Sequence, residues 1–353
     1  MTRNFLFTIF ILTFSATIFA QSGRVKPSET PTPKKEMPRP SVVYMPTQTV
    51  ISKPATTPKI EDDDDIIKVS SALVPIPVLV LDANGQSVDN LKLEDFALLI
   101  DGQTVEIGEL SRSETPVRLA LLFDNSSSVT IAREFEKKAA VRFFKRVLRP
   151  SKDLAALFSV STGTRLEQPL TKDVSQIVQA IETFPAPQGA TALLDGIIKA
   201  AEYLREADGR RVIVIVSDGE DTISDSTFEE TMKAVQAANV QVYVVKTKDF
   251  ENYKQTGQRI GNANIRALAA ERRMQEITAQ TGGAVYSPID DRELDRAFDQ
   301  ISAELARQYV LSYYPESEAE KRGEFRTISL SVKTGRNLTV RTRKGYYVPK
   351  NVR

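Results

Sequence analysis

The 353-residue chain contains no cysteine and no histidine. Without cysteine it forms no disulfide bond and has no thiolate to act as a nucleophile or a zinc ligand. Without histidine it lacks the usual general base near neutral pH and the commonest zinc ligand. These two absences exclude Ser-His-Asp hydrolysis and histidine-based metalloprotease chemistry within the chain.

A strong charge of one sign is also missing. The 47 basic and 46 acidic residues give a formal net charge of +1. This balance gives no reason to expect binding to nucleic acid or to an anionic membrane surface. Hydrophobic residues make up 41% of the chain, which is enough for a sizeable core. The length predicts about two or three domains.

Residues 1–20 are predicted to be a signal peptide. Arg3 precedes a mostly apolar run at 5–19, and the small residue Ala20 ends it. The run is shorter than the about 20 apolar residues of a membrane span. We therefore expect a secreted protein, periplasmic or extracellular, that contacts a membrane only if the signal sequence is not cleaved.

Residues 21–65 are rich in Pro, Thr, Ser and Lys and end in an acidic run at 61–65. A segment of this composition buries too little apolar surface to offset the entropy lost on ordering. It is therefore predicted to be a disordered linker. The acidic run is predicted to be solvated, with calcium binding as the alternative.

Two β segments are predicted, at 66–114 and 307–353. Strand patterns occur at 69–81, 96–100 and 104–110, and again at 308–314, 325–333 and 337–343. Neither segment has enough strands to form a sandwich alone, and bare edge strands are a liability. We expect the two segments to pair into one β-sandwich beside the central domain.

The central domain, residues 115–306, alternates apolar strands with amphipathic helices. The strands are predicted at 117–123, 154–161, 211–216, 240–246 and 284–286, and the helices at 132–147, 174–184, 192–204, 228–238, 274–281 and 294–305. This alternation predicts an α/β fold with a doubly wound, mostly parallel sheet. The polar stretch 247–268 lacks clear periodicity and is predicted to be a loop, either over the ligand site or a simple insertion.

An Asp-x-Ser-x-Ser motif follows the first strand of this domain. Asp124 ends the strand, and Ser126 and Ser128 lie in the loop before a helix. Thr191 lies in a glycine-containing loop, and Asp218 ends a second apolar strand. Ligands bind beyond the carboxyl ends of the strands in such sheets, and hydroxyl and carboxylate oxygens suit a small hard cation. The five residues predict a site for Mg²⁺, with Mn²⁺ or Ca²⁺ as alternatives.

At these residues the sequence resembles the von Willebrand factor A (VWA) family over roughly residues 115–305. That family's metal-ion-dependent adhesion site (MIDAS) uses Asp-x-Ser-x-Ser, a distant Thr and a distant Asp. The resemblance implies that Ser126, Ser128 and Thr191 contact the metal, while Asp124 and Asp218 act directly or through water. It also implies a protein ligand that offers an acidic side chain to the metal.

The flanking segments resemble a secreted bacterial group called VWFA-related, of the acidobacterial type. The resemblance rests on residues 91–96 and 101–102 before the central domain, and on 308–315 and 343–346 after it. Because that group is known mainly as a sequence family, it adds little about activity. The function expected is metal-dependent protein binding or adhesion, without enzymatic activity.

Two other functions stay open. A structural or assembly module would use the metal only to stabilise the fold. A hydrolase is suggested by the strand that ends in Asp124, as in haloacid-dehalogenase-type phosphatases. Their aspartate nucleophile normally needs a second acid two residues on, where this chain has Ser126.

Simpler interpretations exist for several of these residues. Asp and Ser are favoured as helix caps, although capping explains neither Thr191 nor Asp218. Acidic residues at 220, 221 and 225 bind a second cation or are merely solvated. The tyrosines form a carbohydrate-binding face or pack in the sandwich; they are Tyr309, Tyr313, Tyr314, Tyr346 and Tyr347.

Overall fold

The computed structural model describes residues 73–112, 115–130, 133–149, 151–258, 265–315, 323–334 and 337–348, apart from the side chain of Phe135. The predicted signal peptide, 1–20, and linker, 21–65, lie outside these residues. All described residues belong to one compact unit that spans 66–353. Within them, no helix is both long enough and apolar enough to cross a membrane.

The described strands and helices follow one another along the chain as predicted in outline. The strands are β1 (Val74–Leu81), β2 (Phe96–Ile100), β3 (Gln103–Val105), β4 (Glu109–Arg112), β5 (Val117–Asp124), β6 (Leu154–Val160), β7 (Thr164–Thr171), β8 (Arg210–Ser217), β9 (Val240–Lys246), β10 (Val285–Tyr286), β11 (Tyr309–Tyr313), β12 (Phe325–Val332), β13 (Thr339–Thr342) and β14 (Gly345–Tyr347). The helices are α1 (Arg133–Val147), α2 (Val174–Glu182), α3 (Leu193–Arg205), α4 (Phe228–Ala237), α5 (Lys248–Thr256), α6 (Ile265–Thr281) and α7 (Asp291–Arg307).

The central sheet has the strand order β10-β9-β8-β5-β6-β7. Strands β5, β6, β8, β9 and β10 pair in parallel, and β7 joins the edge antiparallel to β6. Its inner strands β5 and β8 are buried almost throughout. Parallel strands of this kind need helices on both faces. The predicted α/β fold with a mostly parallel sheet is confirmed.

Two separate apolar cores lie on the two faces of this sheet. Leu119, Leu121 and Phe123 of β5 point into one core, which includes buried residues of α1, α2 and α7. Ala120 and Leu122 point into the other, which includes buried residues of α3, α4 and α6. Because side chains alternate along a strand, one continuous apolar run supplies both cores.

The flanking segments form the predicted β-sandwich. One sheet has the order β13-β1-β11-β4 and the other has the order β14-β12-β2-β3, so each contains strands from both flanks. Pairing is antiparallel, for example between β1 and β11 and between β2 and β12. Side chains of both sheets, such as Ile76, Leu98 and Leu311, share one core.

Some local predictions were wrong. The segment 104–110, predicted as one strand, divides between β3 and β4, which belong to different sheets. At the crossing, the amide of Gly108 donates to the Ser312 carbonyl (2.8 Å). Strands β7 and β14 were not predicted, because both are short or only partly buried edge strands.

The described residues of the stretch 247–268 are largely helical, contrary to the prediction of a loop. Helix α5 ends at Thr256, after which the amide of Gly257 donates to the Tyr253 carbonyl (2.8 Å), and α6 already begins at Ile265. The apolar periodicity was missing because only Phe250 and Glu251 of α5 are buried. One of these two is acidic, so no apolar stripe marks the buried face.

Buried polar contacts join the central domain to the sandwich. The Arg210 guanidinium donates to Gln308 Oε1 (2.9 Å), and Gln308 Nε2 donates to Gln241 Oε1 (3.1 Å). Glu304 of α7 forms an ion pair with Arg341 of β13. Buried polar groups of this kind need hydrogen-bond partners. Gln308 lies between α7 and β11, so its two hydrogen bonds hold this junction against β8 and β9.

Three of the five tyrosines pack in the sandwich core. Tyr309, Tyr313 and Tyr346 are buried there, whereas Tyr314 is exposed and Tyr347 is half-buried. The Tyr309 hydroxyl donates to the Val88 carbonyl, so its polar end is also satisfied. The packing interpretation therefore holds for these three side chains.

Candidate metal centre

The ends of β5 and β8 bring two aspartates to one edge of the central sheet. The strands are parallel neighbours, with Phe123 opposite Val216. Asp124 is therefore level with the end of β8, after which Asp218 follows. Asp124, Ser217 and Asp218 are all at most 5% exposed. This places two carboxyl groups below the surface at the ligand-binding edge of the sheet.

Each oxygen of the Asp124 carboxylate accepts a hydrogen bond from a serine. The Ser217 hydroxyl donates to Oδ2 (2.7 Å), and the Ser126 amide donates to Oδ1 (2.9 Å). The sequence analysis did not single out Ser217. Its only signal in the sequence is a hydroxyl residue directly before Asp218 at the end of an apolar strand.

The hydroxyls of Ser126 and Ser128 lie together. Their oxygens are 2.9 Å apart, at the start of a 3₁₀ turn that spans Ser127–Thr130. Ser126 is buried, whereas Ser128 is exposed. The Ser128 side chain also acts on the Asp218 carboxyl, since it opposes the rise that burial causes in the pKa of that group. The edge of the sheet thus holds one group of polar side chains, which are Asp124, Ser126, Ser128 and Asp218. Solvent reaches this group at Ser128, its exposed member.

The loop that carries Thr191 lies against the serine loop. The Ser127 amide donates to the Gly189 carbonyl (3.2 Å), and the Gln188 amide donates to the Asn125 carbonyl (3.0 Å). Gly189 has a φ of 79°, and a Cβ atom on it would lie 2.2 Å from the Thr162 hydroxyl oxygen. The backbone therefore needs glycine to bring this loop to the same edge.

Asp221 anchors a neighbouring helix. Its Oδ1 accepts hydrogen bonds from the amides of Leu193 (2.8 Å) and Leu194 (3.2 Å) at the start of α3. A carboxylate at a helix N-terminus accepts hydrogen bonds from free amides and interacts favourably with the positive end of the helix dipole. Thr222 fastens the same loop, because its hydroxyl accepts from the Thr191 amide (2.9 Å).

Burial dominates the electrostatics of the two aspartates. It raises the pKa of Asp124 to about 6, an effect that the hydrogen bonds from Ser126 and Ser217 oppose and the nearby Asp218 reinforces. Burial also raises the pKa of Asp218. Lys248 opposes this, with its Nζ 3.7 Å from Asp218 Oδ2. The site is therefore short of positive charge.

The donor chemistry of this site fits a hard divalent cation. It offers hydroxyl and carboxylate oxygens, with the buried charge of Asp124 left without a cationic partner of its own in the described network. In the same residues, no cluster of three or more acidic side chains has metal-binding spacing. Ligation would therefore depend on hydroxyls and water as well as carboxylates, which suits Mg²⁺.

One family of known proteins matches the central part of this chain. Residues 119–220 match the family described as von Willebrand factor type A domain, a span that contains all five predicted site residues. No curated protein matches the chain. The matched residues include most of β5, all of β6, β7 and β8, and the loops that carry the predicted site residues. They include none of the flanking β segments.

Similar solved structures include three bacterial proteins. An aerotolerance-related membrane protein from Bacteroides fragilis is 18% identical, with 54% of this chain and 98% of that chain covered and a TM-score of 0.40. The PilB minor pilin from Streptococcus sanguinis is 12% identical, with 58% and 64% covered and a TM-score of 0.42. A von Willebrand factor type A protein from Catenulispora acidiphila is 12% identical, with 73% and 74% covered and a TM-score of 0.46.

The narrower resemblance of the flanks to the VWFA-related group stays a prediction, as do the domain boundaries at 115 and 306. The family match and the parallel sheet with helices on both faces concern the central part of the chain. Residues 119–220 are therefore similar to the von Willebrand factor type A domain family.

Proposed function

We propose that this protein binds a partner protein through a divalent cation at the edge of its central sheet. Ser126, Ser128 and Thr191 are the proposed ligands, and Asp124 and Asp218 support them directly or through water. The observation that carries the proposal is the contact group itself: a buried aspartate, with both carboxylate oxygens hydrogen-bonded, beside a pair of serine hydroxyls.

A bound cation would offset a cost that the fold otherwise carries. Burial raises the pKa of Asp124 to about 6, so ionising this carboxyl costs more free energy in the cation-free protein than in water. A divalent cation beside this carboxylate would stabilise its ionised form. Mg²⁺ is the first candidate because it accepts few protein oxygens and keeps several waters, and Mn²⁺ and Ca²⁺ are alternatives.

The chemistry of the partner follows from the open side of the site. Ser128 is exposed while Asp124 and Ser126 are buried, so a ligand approaches from the Ser128 side. A cation held largely by neutral hydroxyls keeps positive charge for an incoming anionic group. We propose that this group is an acidic side chain of the partner protein.

The structure offers less support for a hydrolase. In the proposed role, Asp124 is a fixed supporting residue, and both of its carboxylate oxygens already accept hydrogen bonds. A nucleophilic carboxylate needs a free oxygen directed at the substrate and a nearby acid for the leaving group. Position 126, where that acid is normally found, holds the buried Ser126.

The proposed site of action is outside the cytoplasm. This rests on the signal-peptide pattern at 1–20, with Arg3 before the apolar run. The partner would then be a periplasmic or extracellular protein. Nucleic acid is not a proposed partner, since the chain has a net charge of +1.

Calorimetric titration tests the cation site. Mg²⁺ and Mn²⁺ would be titrated into the purified full chain and into the variants Asp124→Ala and Thr191→Ala, with Ser127→Ala as the control. Ser127 is exposed and contributes its backbone to the site. We expect saturable binding in the wild type and the control and its loss in both test variants. An absence of binding in the wild type would overturn the proposal.

A second measurement separates partner binding from a purely structural role. Binding of an identified partner is measured with and without a chelator, together with the melting temperature. Binding that the chelator and Asp124→Ala both abolish supports the proposal. Binding that survives while the melting temperature falls would favour the structural module instead.

A further inference from the structure

Three buried oxygen atoms near the aspartates have no hydrogen-bond partner of ordinary geometry among the described residues. They are Oε1 of Glu136, Oγ1 of Thr247 and Oε1 of Glu251. Glu136 is 1% exposed, Thr247 is 0% exposed and Glu251 is 4% exposed. Buried polar atoms are almost always paired, and unpaired buried carboxylates are especially unfavourable. The three atoms therefore point to a missing binding partner.

The three side chains converge from separate parts of the fold. Glu136 lies on α1, Thr247 directly follows β9, and Glu251 lies on the first turn of α5. The Glu251 amide donates to the Thr247 carbonyl (2.9 Å), so these two residues share one helical turn. The Glu136 carboxyl interacts with both the Glu251 carboxyl and the Thr247 hydroxyl.

Negative charge accumulates here beyond what nearby cations neutralise. Burial raises the pKa of Glu136 well above its ordinary value, and the Glu251 charge raises it further. Burial and the neighbouring Asp218 raise the pKa of Glu251 to about 8. Asp124 acts in the same direction on both glutamates. Four carboxyl groups thus repel one another in one small region.

The cationic side chains that act on this region have other partners. Lys248 lies 3.7 Å from Asp218 Oδ2 and 3.6 Å from Glu220 Oε1, and its side chain is 34% exposed. Arg133 donates to the Asn125 side chain and to the Pro185 carbonyl. Neither therefore serves as the partner of the unpaired glutamate oxygens.

We propose that Glu136, Glu251 and Thr247 form a second divalent-cation site, distinct from the one built on the serine loop. In this proposal, one cation is the missing partner of the three oxygens and neutralises both glutamates. Two divalent cations would also balance the charge of Asp124, Asp218, Glu136 and Glu251. Two carboxylates and a hydroxyl are hard ligands that select Mg²⁺, Mn²⁺ or Ca²⁺.

The test counts bound Mn²⁺ by native mass spectrometry and by electron paramagnetic resonance of the free ion, in the full chain. The variants are Glu136→Gln combined with Glu251→Gln, and separately Thr191→Ala. The acidic run at 61–65 is unchanged in every variant, so only differences in the count are interpreted. We expect each variant to bind one ion fewer than the wild type, and their combination to bind two fewer.

This experiment tests the two cation sites independently. If the double glutamine variant binds as many ions as the wild type, the second site is overturned and the glutamates are protonated instead. If Thr191→Ala keeps the wild-type count, the serine-loop site fails while the second site stands. The glutamine substitutions remove charge with little change in shape, Thr191→Ala removes a hydroxyl and a methyl group, and circular dichroism checks that all variants fold.

A milder variant keeps the proposal testable if the double variant does not fold. Thr247→Val preserves the shape of the side chain and removes its buried hydroxyl. We expect the affinity for one Mn²⁺ to fall by about tenfold while the other is unchanged, which corresponds to about 1.4 kcal/mol. Unchanged affinity for both ions would overturn the second site.

Discussion

The Ser217 hydroxyl donates a 2.7 Å hydrogen bond to Oδ2 of Asp124 and so joins the ends of two neighbouring parallel strands. The same Ser217 oxygen accepts the amide of Gly219 (3.0 Å). One side chain therefore connects the aspartate of β5 to the loop that carries Asp218. Through this bond, the position of each aspartate depends on the other strand.

Ser217→Ala removes this connection. We expect the free energy of unfolding to fall by about 1 kcal/mol, as for a typical hydrogen bond, and Mg²⁺ affinity to fall by about tenfold. Chemical denaturation and calorimetric titration measure the two effects. Ser127→Ala is the matched control, since Ser127 is exposed. Wild-type Mg²⁺ affinity in Ser217→Ala would contradict this role.

The stability of the cation-free protein is expected to fall as the pH rises. Asp124 and Glu251 have pKa values of about 6 and about 8 in the folded chain, against ordinary values of 3.8 and 4.5. The folded state thus binds protons more strongly than the unfolded state. The resulting stabilisation is complete below the ordinary pKa values of these carboxyls. It is lost as the pH rises through their pKa values in the folded chain.

Scanning calorimetry in metal-free buffer, from about pH 5 to about pH 8.5, measures this dependence; each pKa difference of one is worth about 1.4 kcal/mol. Added Mg²⁺ should raise the melting temperature most at the alkaline end, where the carboxylates are ionised. A melting temperature that increases with pH in the absence of metal would show that burial does not raise the pKa values of these carboxyls.

Gly283→Ala is expected to be severely destabilising. A Cβ atom at this position would lie 1.8 Å from the Val242 carbonyl oxygen, so β9 and the chain leading into β10 would have to separate. We expect a loss of about 2 kcal/mol or more, measured by denaturant unfolding. Gly163→Ala is the control, because a Cβ there meets no atom within 4 Å. Equal stabilities would refute the close approach.

Arg341→Met breaks the ion pair between the sandwich and α7. Glu304 is 3% exposed and would keep only the hydrogen bond from the Tyr286 hydroxyl (2.7 Å). An uncompensated buried charge predicts a loss of about 3 kcal/mol. Adding Glu304→Gln should recover part of that loss, which a double-mutant cycle measures. Simple additivity of the two effects would indicate that the pair contributes nothing.

The class of fold follows from the apolar pattern of the chain. Continuous apolar runs such as 119–123, followed by helical periodicity, have few solutions other than a parallel sheet covered by helices. The absence of histidine and cysteine excluded several classes of enzyme. Asp124, Ser126 and Ser128 indicated which edge of the sheet carries the candidate site. Their roles as metal ligands stay predictions, since spacing and strand ends indicate only where such residues meet.

Which distant groups lie close together depends on how the helices and strands pack against one another. Glu136 and Glu251 occur in polar stretches of sequence, and only the packing of α1 and α5 buries them beside the aspartates. Ser217 likewise gains its role from the parallel register of β8 with β5. Periodicity reports the average face of one element, whereas burial of a single polar side chain depends on contacts between elements far apart in the chain.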